Sequence, residues 1–136
     1  MKQILINNLL WDVENYSKNE EHFWSFHEAY NHVKRSKRRL PTPEELEALF
    51  LIGSTWDSNI NGRWVAGNHD SDHQNSLFFP ARDLDVSAAY WTCRRVSDSF
   101  SVPEALYFDA KESIKIYDFS FTPDYWPLSV RYVMDT

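Results

Sequence analysis

The order of the predicted secondary-structure elements is the feature that most limits what this chain can fold into. Two helical patterns lie in the first half of the sequence, and most of the β-prone segments follow them. An alternating βαβ fold would intersperse helices and strands along the whole chain, whereas separate runs are typical of α+β proteins. The sequence therefore predicts an α+β fold, with two helices packed on antiparallel sheets and a long loop region.

Hydrophobic periodicity predicts the first helix. Apolar and aromatic side chains recur at spacings of three and four between Phe23 and Val33, which is one face of a 3.6-residue period. Acidic residues precede this stretch, and five cations in the six residues 34–39 end it. Both placements complement the helix dipole. We therefore expect a helix over residues 20–36.

A capping signature predicts the second helix. Thr42 is followed three residues later by Glu45, the spacing of a capping box. Pro43 suits the first helical position, and Gly53 is placed to end the helix. We expect this helix over residues 43–52.

Short strands are predicted on both sides of the helices. Residues 3–6 and 9–13 have strand composition and are separated by two asparagines, a turn pair. Further strands are expected near 62–66, 77–80, 89–92, 105–108, 114–117 and 128–134. The rest of the stretch 54–76 is dominated by Ser, Asn, Gly, Asp and His, which predicts a long loop region of the kind that often carries function.

Length and composition favour one domain over residues 1–136 and exclude some functions. The chain is 43% hydrophobic and 16% aromatic, unlike a disordered protein. Its net charge of −6 argues against nucleic-acid binding by the molecule as a whole. The first residues do not resemble a signal peptide, and no apolar run reaches membrane-spanning length. The cytoplasm is therefore the expected compartment, with no membrane partner.

Four segments, in chain order, resemble those of C-type-lectin-like domains. Residues 39–46, RLPTPEEL, resemble the segment RLPT-x-EEL of these domains. Residues 77–81, LFFPA, residues 90–92, YWT, and residues 129–133, SVRYV, are similar to FFPA, YWSS and SVRCV. Such segments occur in the collagen-like adhesin C-terminal domain family, the bacterial major paralogous domain family and the formylglycine-generating-enzyme superfamily. The resemblance implies a C-type-lectin-like fold with its N- and C-terminal strands adjacent in one antiparallel sheet.

The departures from these families bear on function. Tyr132 stands where the adhesin-like families usually carry Cys, so their disulfide cannot form. The single cysteine, Cys93, cannot supply the cysteine pair of the formylglycine-generating enzymes. The calcium-binding triplets of sugar-binding C-type lectins are absent from the sequence. The resemblance therefore implies a scaffold without these three activities.

Two groups of residues are candidates for chemistry. His69, Asp70, Asp72 and His73 could supply ligands to a divalent ion, although the spacing does not fit an EF-hand, and a solvated polar loop is the favoured interpretation. Cys93 precedes two arginines, which could lower the pKa of a thiol, but no base is evident, and a buried cysteine is favoured. We therefore expect no catalytic residue, no cofactor and no metal.

Loop aromatics are the stronger candidates for a binding site. Trp56 and Trp64 lie in the polar stretch 54–76, and Tyr125 and Trp126 lie between two prolines. Large, stiff, amphipathic side chains on loops form many binding surfaces, although two or three of these could equally fill the core. The polar residues expected to complete the binding face are Asp57, Asn59 and Asn68.

The leading hypothesis is therefore a non-enzymatic module that docks on a protein partner through loop aromatics. A small domain of this kind would suit a phage- or mobile-element-encoded factor directed at a host protein. The first alternative is a carbohydrate-binding adhesin-type domain, in which the aromatics stack on sugar rings. The second alternative is an enzyme using Cys93 or the cluster in 69–73.

Overall fold

A computed structural model describes residues 2–66, 76–82, 87–96, 99–111, 115–118 and 127–136, without side chains at 96, 99–102 and 116–118. Within these residues the chain is α+β, with two helices and ten strands. The elements are β1 (Gln3–Ile6), β2 (Leu9–Asp12), α1 (Phe26–Val33), β3 (Arg38–Arg39), α2 (Pro43–Ile52), β4 (Ser54–Asp57), β5 (Gly62–Val65), β6 (Leu77–Pro80), β7 (Ser87–Val96), β8 (Ser99–Asp109), β9 (Lys115–Asp118) and β10 (Val133–Asp135).

The strands form three antiparallel sheets, with the orders β1-β2-β10-β3, β4-β5-β6 and β7-β8-β9. In the first sheet Val133 of β10 lies opposite Trp11 of β2. Asn7 and Asn8, both with positive φ, turn the chain between β1 and β2. The expected pairing of the N- and C-terminal strands in one antiparallel sheet is confirmed.

Each helix covers its own part of the core. Leu46 and Leu49 of α2 are fully buried against Phe79 of β6 and other residues of the second sheet. Around α1, Phe26 packs on Trp91, and the fully buried Tyr132 donates a hydrogen bond to a backbone carbonyl of the helix at 2.6 Å. Tyr132 is thus a buried aromatic side chain that fixes the sheet to α1.

The first helix is shorter than expected. The prediction of a helix over 20–36 is wrong at both ends, because α1 spans only Phe26–Val33. Ser25 forms a capping box with Glu28 and begins the helix. Upstream, the backbone of Trp24 pairs with Leu128 through two 2.9 Å hydrogen bonds and is not free to be helical. The reciprocal cap at 25–28 is a better start signal than the acidic residues at 20 and 21.

The second helix agrees with its predicted bounds. Thr42 accepts a hydrogen bond from the Glu45 backbone N–H at 3.2 Å, and the Glu45 carboxylate accepts one from the Thr42 N–H at 2.8 Å. Pro43 occupies the first helical position. At Gly53 the backbone is extended, with φ 171°, so the helix ends there without a left-handed residue.

Removing the cap on α2 should weaken the fold measurably. Thr42→Ala is expected to lower the free energy of unfolding by about 1 kcal/mol, because the Glu45 backbone N–H loses the hydroxyl that accepts its hydrogen bond. Urea denaturation measures the change. Ser17→Ala is the control, since this exposed hydroxyl makes no hydrogen bond among the described residues. An unchanged midpoint for Thr42→Ala would show that the cap does not stabilise the helix.

Two other predicted segments need correction. Residues 54–57, expected in a loop, form strand β4, because Ser54–Asp57 pairs along its whole length with β5. The strand expected over 128–134 is broken into shorter pieces. Leu128 bridges to Trp24 and Ser129 to Tyr90, and regular pairing begins only at Val133. None of the helices in the described residues is long and apolar enough to cross a membrane.

Candidate binding face

The β4-β5-β6 sheet has one face in the core and one turned away from it. Val65, Leu77 and Phe79 are fully buried and belong to the core cluster under α2. Side chains alternate between the faces of a strand, so the residues between them lie on the opposite face. We call this opposite surface the outer face; its residues are Thr55, Asp57, Gly62, Trp64, Phe78 and Pro80.

Two aromatic side chains occupy the middle of the outer face. Trp64 of β5 lies directly opposite Phe78 of β6, with ring centroids 5.1 Å apart and ring planes at 53°. Both side chains are half-buried. The Phe78 ring also lies over Gly62, where a Cβ would be 2.5 Å from a ring carbon. The absence of a side chain at residue 62 thus leaves the space that the Phe78 ring occupies beside the indole.

Asp57 holds the tryptophan in place. One carboxylate oxygen accepts a hydrogen bond from the Trp64 indole N–H at 3.2 Å, and the other accepts one from the Asn59 backbone N–H at 3.0 Å. The same side chain therefore orients the indole and shapes the turn between β4 and β5. Since both of its oxygens are engaged, Asp57 acts as a support for the aromatic pair.

Trp56 lies on the other face of the sheet. It is opposite Arg63, half-buried, and packed against the core cluster under α2. The Arg63 guanidinium lies 5.9 Å from the Trp56 ring and donates a 3.0 Å hydrogen bond to the Asp109 carbonyl. Burial lowers the pKa of Arg63, and the Asp109 charge partly offsets this. Trp56 and Arg63 thus attach the sheet to the end of β8.

The structure brings together only part of the predicted binding site. Trp64, Asp57 and the exposed Asn59 lie close together, whereas Trp56 faces the core. The remaining predicted binding residues lie outside the described residues: Asn68, Tyr125 and Trp126. Sequence reasoning missed Phe78 and Gly62, although the strand pattern of residues 77–80 places Phe78 on the side opposite Leu77 and Phe79.

Substitution of Gly62 should cost stability. In Gly62→Ala the new Cβ would lie 2.5 Å from the Phe78 ring and 2.6 Å from the Phe79 carbonyl oxygen, so the backbone of the sheet must shift. We expect a loss of about 1–3 kcal/mol in the free energy of unfolding. A glycine in an unstrained, open position would instead gain stability on replacement by alanine. Thermal melts show whether Gly62→Ala lowers or raises the melting temperature, and Ser58→Ala, a variant in an exposed turn, is the control.

Cys93 lies in the core. Its side chain is fully buried in the cluster around α1. The guanidinium of the adjacent Arg94 pairs with Glu44 at 2.6 Å and with Glu104. A substrate cannot reach the thiol in this conformation, and the neighbouring cation is already neutralised by two carboxylates.

The candidate ion-binding cluster, for which a solvated loop is the favoured interpretation, lies outside the described part of the chain. His69, Asp70, Asp72 and His73 lie outside the described residues. In the part of the chain that is described, no three His, Cys, Asp or Glu side chains come together in a way that could hold a metal ion.

A second concentration of polar groups surrounds His32 at the end of α1. The imidazole stacks on Tyr16, with centroids 4.3 Å apart, and its Nδ1 lies 3.2 Å from the Tyr16 hydroxyl. Arg38 lies 4.8 Å above the Tyr132 ring and pairs with the buried Asp12. These groups border a cavity of about 420 Å³. Partial burial lowers the pKa of His32, and the charges of Arg38 and Lys18 lower it further.

The His32 environment makes stability depend on pH. Because the pKa of His32 is lower in the folded state than its ordinary value of about 6.5, protons bind more strongly to the unfolded chain. The free energy of unfolding should therefore fall as the pH drops from 7.5 towards 5.5. In His32→Gln this dependence should be weaker. Urea denaturation at several pH values measures the slope, and equal slopes for wild type and His32→Gln would contradict the assignment.

Comparison with known proteins gives no relative for this chain. No protein-family model, no curated protein and no solved structure matches it.

Proposed function

We propose that this protein is a non-catalytic binding module that docks on a protein partner through its outer face. The observation that carries the proposal is the Trp64–Phe78 pair, 5.1 Å apart on the side of the sheet that faces away from the core. Tryptophan is among the residues that contribute most to binding at protein interfaces. The pair is prearranged by Asp57 and by the space at Gly62, so little side-chain freedom is lost on binding.

The scaffold that we propose is C-type-lectin-like. The proposal is supported by the four sequence segments, by the two helices and by the pairing of β2 with β10. Each matching segment has a structural task here: residues 39–46 begin α2, and residues 77–80 form β6. The resemblance supports a fold, and the binding role rests on the outer face.

A carbohydrate ligand is the second candidate for the same surface. An indole that lies on a sheet face beside a hydroxyl and an amide, here Thr55 and Asn59, is also suited to stacking on a sugar ring. The second aromatic ring beside the indole favours the protein partner, because aromatic side chains are enriched at the centre of protein interfaces.

Affinity capture tests the proposal. The immobilised wild-type protein and the Trp64→Ala variant are exposed to extracts of the producing cell and of its host, and retained proteins are identified by mass spectrometry. We expect at least one protein that wild type and Leu51→Ala retain and Trp64→Ala does not; Leu51 is an exposed apolar residue of α2, 74% accessible. A glycan array is run in parallel. The carbohydrate alternative is supported if wild type binds a glycan and Trp64→Ala does not, while the affinity capture retains no protein that depends on Trp64.

A further inference from the structure

The five cations of residues 34–39 form two groups, one with ion-pair partners and one without such partners among the described residues. Arg38 pairs with Asp12, and Arg39 binds Glu45 through two 2.7 Å hydrogen bonds and Asp135 at 2.9 Å. These two arginines stabilise the fold by joining β3 to its neighbours. The other three cations of the run, Lys34, Arg35 and Lys37, are exposed and form no ion pair among the described residues.

A cavity of about 460 Å³ opens beside the unpaired lysines. Its size is within the usual range for small-molecule sites. Lys34 and Lys37 supply charge, and the edges of the largely buried Val33 and Leu40 side chains form part of the cavity wall. Tyr30 contributes a ring whose hydroxyl has no hydrogen-bond partner in the described part of the chain.

One carboxylate also borders the cavity. Asp135 is held by Arg39 at 2.9 and 3.1 Å, and hydrogen bonding to Arg39 keeps its pKa below the ordinary range. A charged carboxylate repels a phosphate but accepts hydrogen bonds from hydroxyl groups. The cavity therefore has three chemically different parts: ammonium groups for an anion, a hydroxyl acceptor, and an apolar surface with an aromatic ring.

We propose that this cavity binds a nucleoside monophosphate. The phosphate pairs with Lys34 and Lys37, the ribose hydroxyls donate to Asp135, and the base packs on Tyr30 and the apolar surface. A free phosphate would use only the first of these groups, and a nucleoside only the other two. The site is separate from the outer face, because no residue belongs to both.

Isothermal titration with AMP, 2′,3′-dideoxy-AMP, adenosine and inorganic phosphate tests the assignment. Saturable one-to-one binding of AMP is expected, at least fivefold tighter than that of each of the other three probes. Lys34→Ala/Lys37→Ala should weaken AMP binding at least tenfold. The control Lys18→Ala/Lys111→Ala removes the same charge from exposed positions outside the cavity and should bind AMP as wild type does.

Three results would overturn the assignment. The first is the absence of saturable AMP binding at millimolar concentration. The second is AMP binding that the two double variants weaken equally, which would indicate a general charge effect. The third is binding of a single-stranded oligonucleotide that is tighter than that of AMP and is lost in Lys34→Ala/Lys37→Ala. This result would indicate a nucleic-acid surface in place of a small-molecule site.

Discussion

Arg131→Ala is expected to lower the free energy of unfolding by about 3–5 kcal/mol, because it combines a large-to-small change in the core with the loss of donors to several buried oxygens. The Arg131 side chain is 1% exposed and lies 4.3 Å from the Phe79 ring centroid. Its guanidinium donates to the Asn15 side-chain oxygen at 2.7 and 2.9 Å, to the Phe78 carbonyl at 2.6 Å and to the Asp12 carbonyl at 3.3 Å.

The size of this effect follows from what Arg131 joins. Asp12 and Asn15 belong to the end of β2 and the segment after it, and Phe78 belongs to β6, so one side chain connects the first sheet to the second. Truncation leaves a cavity and buried carbonyl groups without donors. Burial lowers the pKa of Arg131, and the nearby Asp12 and Glu14 charges act in the opposite direction.

Chemical denaturation of three variants measures the contribution. Arg35→Ala, which removes an exposed arginine without an ion pair in the described residues, should leave the unfolding midpoint nearly unchanged. Arg131→Lys should not restore stability, because an ammonium cannot reproduce the planar, forked donor geometry. If the free energy of unfolding of Arg131→Ala is less than about 1 kcal/mol below that of wild type, the guanidinium does not connect the two sheets in the way described.

A milder variant covers the case in which Arg131→Ala does not fold. Asn15→Ala removes the acceptor shared by two Arg131 nitrogens and the side-chain donor to the Tyr90 hydroxyl at 2.8 Å. We expect a loss of about 1–3 kcal/mol, because buried polar groups remain without partners. Wild-type stability in this variant would contradict the proposed network.

The sequence correctly predicted the elements that are stabilised mainly by contacts between neighbouring residues in the chain. The cap at Thr42 and the stripe of Leu46 and Leu49 depend only on neighbours in the chain, and α2 has its predicted bounds. The start of α1 was wrong because a distant partner, Leu128, fixes the backbone of Trp24. Such pairing between residues far apart in the chain has no local signature.

The binding face could be predicted only in part for the same reason. The aromatic and polar side chains of residues 54–76 indicated a binding surface, but strand register decides which aromatic side chain faces away from the core. Trp56 and Trp64 are both in strands, and the pairing of β4 with β5 places them on opposite faces. Phe78 joins Trp64 only through the pairing of β5 with β6. A shift of one residue in register would exchange the two faces.

Trp64→Ala is expected to have the largest effect on binding. Truncation removes the indole that packs beside Phe78 and leaves the Asp57 carboxylate without its 3.2 Å donor. Interface residues of this kind typically contribute about 2 kcal/mol or more on truncation, which corresponds to at least about a tenfold loss of affinity. Phe78→Ala should act in the same direction, since each ring fixes the position of the other. Circular dichroism establishes that both variants are folded.

The equilibrium dissociation constant of the purified partner, measured for wild type and three variants, tests the central claim most directly. Trp64→Ala and Phe78→Ala should each weaken binding at least about tenfold. Leu51→Ala, which removes a similarly apolar but more exposed side chain on α2, should bind within about twofold of wild type. Wild-type affinity in both folded aromatic variants would show that the outer face of the β4-β5-β6 sheet is not the binding surface.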